Sequence, residues 1–314
     1  MEIFLQILFL IIGMALLIKG ADFFVDGSKD VATRMRIPAV VIGLTLVSIG
    51  TSLPEASVSI TSAINGANDL SFGNVVGSNI FNCFIVIGLC SMIVPMIVSK
   101  DILKYDMPIL IGIMALLILF AYVITPYEIS RIESGILFAA FILYLVFTFL
   151  RVRKQDNNEE NETITRKLWL SILLIILGVT GIILGGKFVV DSAKQLALEF
   201  GMSEMLVGLT VVAVGTSLPE LVTSLVAAKK GEQDIAVGNA IGSCLFNIIF
   251  ILGFSGMLEP ITLLKDSYID IIFMVIAVLI TFAFSVKTKK INRIEGLIMV
   301  LLYVGYLTYI IIRN

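Results

Sequence analysis

The sequence contains no histidine, one tryptophan, three cysteines and only 15% charged residues among 314. The missing histidine removes the commonest zinc and copper ligand and the usual proton carrier near neutral pH. No nucleophile-base constellation takes its place, so a catalytic role is not expected. Cys83, Cys90 and Cys244 all lie in apolar runs, and an odd, buried set excludes a disulfide framework; they read as small packing residues. So little charge, beside 58% hydrophobic residues, excludes a soluble globular domain, which could not cover its surface. The formal net charge of -2 points to no acidic or basic partner, and nucleic acid is not expected to bind.

What the chain has instead is one apolar run after another. A helix needs about 20 apolar residues to cross the hydrocarbon of a bilayer. Candidate runs lie at roughly 3–20, 39–63, 70–95, 107–125, 132–150, 168–190, 205–228, 235–258, 267–286 and 294–312. The expected fold is therefore an all-α membrane protein of ten transmembrane helices. The first run carries Glu2 without a basic leader, and Lys19 stands where a signal peptide would have small residues, so it counts as a span. With the N-terminus outside, inner connections hold sixteen of the twenty-two basic residues, among them Lys29, Arg34, Arg36, Arg151, Arg166 and Lys230. That bias predicts a multi-pass cell-membrane protein with both termini extracellular.

The chain is also written twice. Gly50-Thr51-Ser52-Leu53-Pro54-Glu55 returns as Gly215-Thr216-Ser217-Leu218-Pro219-Glu220, an offset of 220 - 55 = 165. Gly43-Leu44-Thr45, Gly73-Asn74, Gly77-Ser78 and Phe81-Asn82 return at the same offset, and Arg131-Ile132-Glu133 returns at 293 - 131 = 162. Each half holds five runs, and an odd number of crossings turns the second half upside down relative to the first. Inverted repeats of this kind bind their substrate between the halves near the bilayer midplane. The expected division is a first five-helix repeat over 1–150, a polar cytoplasmic linker over 151–167 and a second, inverted repeat over 168–314.

A proline inside a helix has no N-H and crowds the carbonyl four residues back, so Pro54 and Pro219 should free the carbonyls of Gly50 and Gly215. Irregular backbone survives deep in a membrane only where it lines a cavity or is buried in protein. Glu55 and Glu220 sit well inside their runs, where a carboxylate is costly and usually functional. Asp22, Asp26 and Asp191 lie nearer to run ends and are expected to be solvated or paired. Thr51, Ser52, Thr216 and Ser217 stand within a turn of each Glu, and the next runs bring Ser78 with Asn82 and Ser243 with Asn247 at i and i+4. All are oxygen donors of the kind that calcium collects six to eight of, and sodium is equally oxygen-seeking. Gly77 and Gly242 read as close-packing positions, and Asn74 and Asn239 as braces of a helix end, outside the site.

These paired segments, each followed by Gly-Asn and then Gly-Ser with an Asn four residues after the Ser, resemble the alpha repeats of the calcium/cation antiporter superfamily, and within it the prokaryotic sodium/calcium exchangers. The resemblance covers nearly all ten runs. It implies a calcium site of Glu55, Glu220 and the Thr51 and Thr216 carbonyls. It further implies sodium sites formed by Ser52, Ser217, Ser78 and Ser243 with the carbonyls of Ser48 and Ala213. Some relatives carry an aspartate where this chain has Asn82 or Asn247, and two neutral amides weaken the case for potassium co-binding or a proton-coupled carboxylate there. The implied activity is exchange of calcium for sodium with no cofactor; alternating access is expected from the inverted repeat, electrogenic exchange from the energy needed to move calcium uphill, and a monomer is compatible with both. Proton/calcium exchange on the same fold is the alternative, followed by a passive cation channel.

Overall fold

The computed structural model describes residues 2–154, 166–201, 213–264 and 267–313. In hydrocarbon every backbone N-H and C=O must be satisfied within the protein, and the apolar runs accordingly fold as long helices. They are α1 (Glu2–Met35), α2 (Ala39–Thr51), α3 (Leu53–Ile64), α4 (Leu70–Ile93), α5 (Ile102–Ile124), α6 (Arg131–Lys154), α7 (Leu168–Glu199), α8 (Leu218–Lys229), α9 (Gln233–Leu258), α10 (Ser267–Thr288) and α11 (Arg293–Arg313). Among the described residues eight helices are long and apolar enough to span a bilayer, and α2 with α3 make a ninth if that bent pair counts as one span. The seventh expected span, 205–228, falls partly outside the described residues, as do the repeated Gly208-Leu209-Thr210 and most of the linker.

Burial sorts these helices. The most apolar stretches of α4 and α9 are 78% and 94% buried, whereas those of α1 and α7 are 17% and 22% buried. The two central helices hold Ser78, Asn82, Ser243 and Asn247 of the repeat, and α1 and α7 lie together on the outside. That pair meets through glycines seven residues apart. A Cβ added at Gly13 would stand 2.9 Å from Gly185 O, at Gly20 2.7 Å from Ile182 N, and at Gly178 2.6 Å from Phe24 N. Small residues let two membrane helices approach to backbone contact, which is where their van der Waals attraction comes from.

Two-residue strands tie the connections. β1 (Met96–Ile97) pairs antiparallel with β4 (Lys290–Ile291), Met96 opposite Ile291, and β2 (Glu128–Ile129) pairs with β3 (Ile261–Thr262), Ile129 opposite Ile261. Around the first clasp gather Ile97 N with Gln233 Oε1 (2.9 Å) and Lys29 with Glu232 (2.8 Å); around the second, Arg131 with Glu259 (3.2 Å). The contacts fall into two groups, and these are the groups into which alternate connections fall along the chain.

Several helix ends differ from expectation. α1 continues to Met35 rather than stopping near residue 20, because its polar continuation finds partners: Lys230 binds Asp22 (3.1 Å) and Asp26 (2.7 Å), and Arg166 binds Asp30 (3.1 Å). The linker starts later than residue 151. α6 runs on to Lys154, and Arg151 is no solvated loop residue but is held by the buried Asp106, its Nη1 3.2 Å from Oδ2, while Tyr144 donates to Oδ1 at 3.0 Å.

Candidate functional site

The repeated motif breaks its helix as the prolines require. α2 and α3 meet at 51°, with Ser52 at φ -85°, ψ 8°, and Ser217 adopts φ -93°, ψ 5° at the corresponding step before α8. Pro54 and Pro219 sit in the first turn of the new helices, where a missing N-H costs nothing. Each break thus places a helix N-terminus deep in the protein with a glutamate in its first turn, where the helix dipole favours negative charge. Gly43–Val47 before the first break, and Asn82–Val86 and Asn247–Leu252 after the repeated asparagines, are wound as wide π-helical turns, a distortion frequent at functional sites.

The polar side chains then cross between the halves. Ser52 Oγ donates to Glu220 Oε1 at 2.7 Å, and Ser217 Oγ donates to Glu55 Oε1 at 3.0 Å. Ser52 Oγ lies 2.9 Å from Ser243 Oγ, and Ser217 Oγ 3.0 Å from Ser78 Oγ. Ser78 Oγ is itself 3.4 Å from Glu55 Oε1. Thr51 Oγ1 is 3.0 Å from Asn239 Oδ1, and Thr216 Oγ1 is 3.4 Å from Asn74 Oδ1. Asn74 Nδ2 donates to Glu55 O and Ser59 Oγ (3.3 and 2.9 Å), as Asn239 Nδ2 does to Glu220 O and Ser224 Oγ (3.3 and 3.0 Å). The bonds come in pairs offset by 165 residues in the sequence.

Glu55, Glu220, Thr51, Ser52, Ser217, Ser243, Asn82 and Asn247 are fully buried, Ser78 nearly so, and Thr216 is half-buried. Ser48 O accepts from Ser52 N (3.0 Å) and Thr51 Oγ1 (3.3 Å). Ala213 begins a single helical turn, Ala213–Gly215, leading into the second break. Asn74 and Asn239 do more than brace a helix end, since each also reaches a threonine of the other half's motif. Their repetition in register was the signal for it. Gly242 is a close-packing position as expected, a Cβ there standing 2.7 Å from Leu44 Cα, whereas a Cβ at Gly77 would meet no described residue within 4 Å. All three cysteines are buried and free.

The bonding leaves a definite remainder. Among the described residues Glu55 Oε2, Glu220 Oε2, Asn247 Oδ1 and both amide atoms of Asn82 are buried without a hydrogen-bond partner. Buried polar atoms are ordinarily satisfied, and leaving one unpaired costs about 1–3 kcal/mol. Four of these five atoms are oxygens. Among the described residues no three His, Cys, Asp or Glu side chains come together, so any cation held here meets two carboxylates and otherwise neutral oxygens. That donor set suits a hard ion and not a soft one.

A family model described as sodium/calcium exchanger protein matches residues 5–150 and 170–312. Sodium/calcium exchanger MaX1 of Methanosarcina acetivorans is 32% identical over 338 residues, covering 96% of this chain and 97% of that protein. Inner membrane protein YrbG of Escherichia coli is 35% identical over 266 residues, covering 80% and 79%. Among solved structures, the sodium-calcium exchanger NCX_Mj soaked with 10 mM Na+ and zero Ca2+ matches with a TM-score of 0.85 at 32% identity, covering 98% of this chain and 99% of that one. The same exchanger soaked with 2.5 mM Na+ and 10 mM Sr2+ matches at 0.84. With the family model spanning both blocks of the sequence and relatives covering nearly its whole length, this chain belongs to the sodium/calcium exchanger family.

Proposed function

We propose that the chain exchanges calcium for sodium across the membrane by alternating access, at a site centred on Glu55 and Glu220. The observation that carries this reading is the set of buried oxygens left without donors around the two carboxylates. A calcium ion bound by both carboxylates, the Thr51 and Thr216 carbonyls and the Asn82 and Asn247 amides would satisfy them. Sodium ions would use Ser52, Ser217, Ser78 and Ser243 with the Ser48 and Ala213 carbonyls. Glu55 and Glu220 would hold either cargo, so calcium and sodium compete, and an empty centre carries two uncompensated charges, which opposes movement without cargo.

The moving part in this reading is the α1–α7 pair, which is joined by its glycine seam, lies mostly outside the core and contributes no strand to either β clasp. The remaining helices form the frame. Ten spans arranged as two inverted repeats, 1–150 and 168–314, joined by a cytoplasmic linker over 151–167, complete the proposed architecture, with both termini outside.

Coupling follows from arithmetic. Moving calcium against an assumed gradient of about 10,000-fold needs about 5.5 kcal/mol, and two sodium ions each moving down a tenfold gradient supply only about 2.7. Three supply about 4.1, and the one net charge they move adds about 2.3 kcal/mol per 100 mV. Exchange is therefore proposed to be three sodium for one calcium and electrogenic.

The test is radioactive calcium uptake into proteoliposomes loaded with sodium or with choline at fixed pH. Wild-type uptake should require internal sodium, respond to a clamped membrane potential, and vanish in Glu220→Gln. Uptake indifferent to sodium but driven by a pH gradient would replace sodium by protons in the scheme, and indifference to voltage would overturn the stoichiometry.

A further inference from the structure

The two halves of the site are not identical at every buried position, and one difference faces Asn247. Residue 79 is asparagine, and its counterpart 165 residues later is Cys244. Asn79 is fully buried and its amide is used at both ends: Oδ1 accepts from Asn247 Nδ2 at 3.0 Å, and Nδ2 donates to Cys244 O at 3.2 Å and lies 3.6 Å from Met274 Sδ. Asn247 Nδ2 has a second acceptor in Ser78 Oγ at 3.2 Å. An amide whose nitrogen is held by two acceptors cannot turn over without bringing its own oxygen against Asn79 Oδ1, acceptor to acceptor. The oxygen of Asn247 is thereby fixed on the opposite side, where it is buried and unpartnered among the described residues.

Among the described residues Asn82 has no such holder. In the place where a second asparagine would stand, Cys244 offers a thiol that lies 3.9 Å from Cys83 Sγ and 3.7 Å from Asn79 O, and a thiol carries no carbonyl oxygen to receive an amide. Accordingly both amide atoms of Asn82 are buried and unpartnered among the described residues.

We propose that Asn79 is a positioning residue for the ion site: by holding Asn247 Nδ2 it sets Asn247 Oδ1 as a preoriented oxygen ligand, while Asn82 is left to orient itself only when an ion arrives. The inference deepens the exchange reading and rests on it. A preoriented ligand gives up no rotational freedom on binding and faces its ion before the ion comes. The two flanks of the site therefore take a hard cation with unequal affinity, although the residues that line them are nearly the same.

The experiment is a double-mutant cycle on the full-length chain, with Asn79→Leu, Asn247→Ala and the pair together, and Asn82→Ala as the alternative background. Two readouts are taken: the half-saturating calcium and maximal rate of sodium-driven uptake, and the calcium-dependent rise of the unfolding midpoint of the purified protein. Asn79→Leu should raise half-saturating calcium about fivefold, the factor that corresponds to one neutral hydrogen bond, with the maximal rate little changed. It should add nothing on the Asn247→Ala background and keep its effect on the Asn82→Ala background. Asn79→Asp, whose protonated carboxyl can donate to Cys244 O and accept from Asn247, should restore wild-type half-saturation, and it carries the test if the leucine variant does not fold. An unchanged half-saturation in Asn79→Leu, equal effects on both backgrounds, or failure of a folded Asn79→Asp to restore affinity would overturn the proposal. Sodium-independent wild-type uptake would instead overturn the exchange reading, and the unfolding midpoints would still decide the role of Asn79. A wild type that binds no calcium would overturn both.

Discussion

Gly185→Ala is expected to destabilise the protein by wedging α1 from α7. The added Cβ would stand 2.5 Å from Leu17 N, 2.7 Å from Gly13 O and 2.9 Å from Leu17 Cα. All three are backbone atoms, so no side chain can swing aside. Ordinary contact begins at 3.4 Å, and the helices must part by 3.4 - 2.5 = 0.9 Å. A gap of that size forfeits roughly a quarter to a half of each dispersion contact along the seam. Overpacking of this kind costs about 1–3 kcal/mol, against which alanine returns up to about 1 kcal/mol of helix propensity. A net loss of about 1–2 kcal/mol corresponds to a fall of roughly 2–8 °C in unfolding midpoint, by the scaling of about 2–4 °C per kcal/mol for larger domains. Two glycines calibrate the measurement. Gly181→Ala, whose Cβ would meet Gly20 Cα at 3.1 Å, should fall by less, and Gly112→Ala, exposed on α5 with nothing within 4 Å, should be neutral or slightly stabilised. The single tryptophan, Trp169, is exposed at the start of α7 and reports unfolding of that helix by fluorescence in detergent. Equal midpoints for Gly185→Ala and Gly112→Ala, or a larger fall for Gly181→Ala, would refute the backbone-contact seam.

Two further changes probe polar contacts. Arg151→Met leaves the carboxylate of Asp106 buried without its cation and should cost about 3–5 kcal/mol, whereas Asp106→Leu with Arg151→Met should recover most of it; a double variant no more stable than the single would contradict the pairing. Ser217→Ala removes the hydroxyl that donates to Glu55 Oε1 and should raise half-saturating sodium at least about tenfold while a folded, monodisperse protein is kept, so unchanged sodium dependence would remove Ser217 from the site.

The candidate site was legible because it occurs twice. A buried glutamate beside a proline is ambiguous alone, but the offset of 165 carried Glu55, Ser52, Ser78 and Asn82 onto Glu220, Ser217, Ser243 and Asn247, and the structure joins all of these but Asn82 by side-chain hydrogen bonds. Repetition could not say which serine serves which glutamate. Sequence neighbourhood groups Ser52 with Glu55, yet Ser52 donates across to Glu220, because the bend turns each serine toward the other half. Asn79 escaped notice for the complementary reason: it has no second copy, and a search for symmetry passes over what breaks it. The end of α1 and the state of Arg151 were hidden because both depend on charges remote in sequence, Lys230 with Arg166 in one case and Asp106 in the other.

The strand clasps bear on how such a chain could arise. β1 lies in the first half and takes its partner β4 from the second, while β2 and β3 do the same with the roles exchanged. A chain consisting of either half alone would expose two open strand edges and leave its glutamate without the serine that donates to it from the other half. Closing them would take a second half, and two halves joined in one chain are free to differ, as Asn79 and Cys244 do.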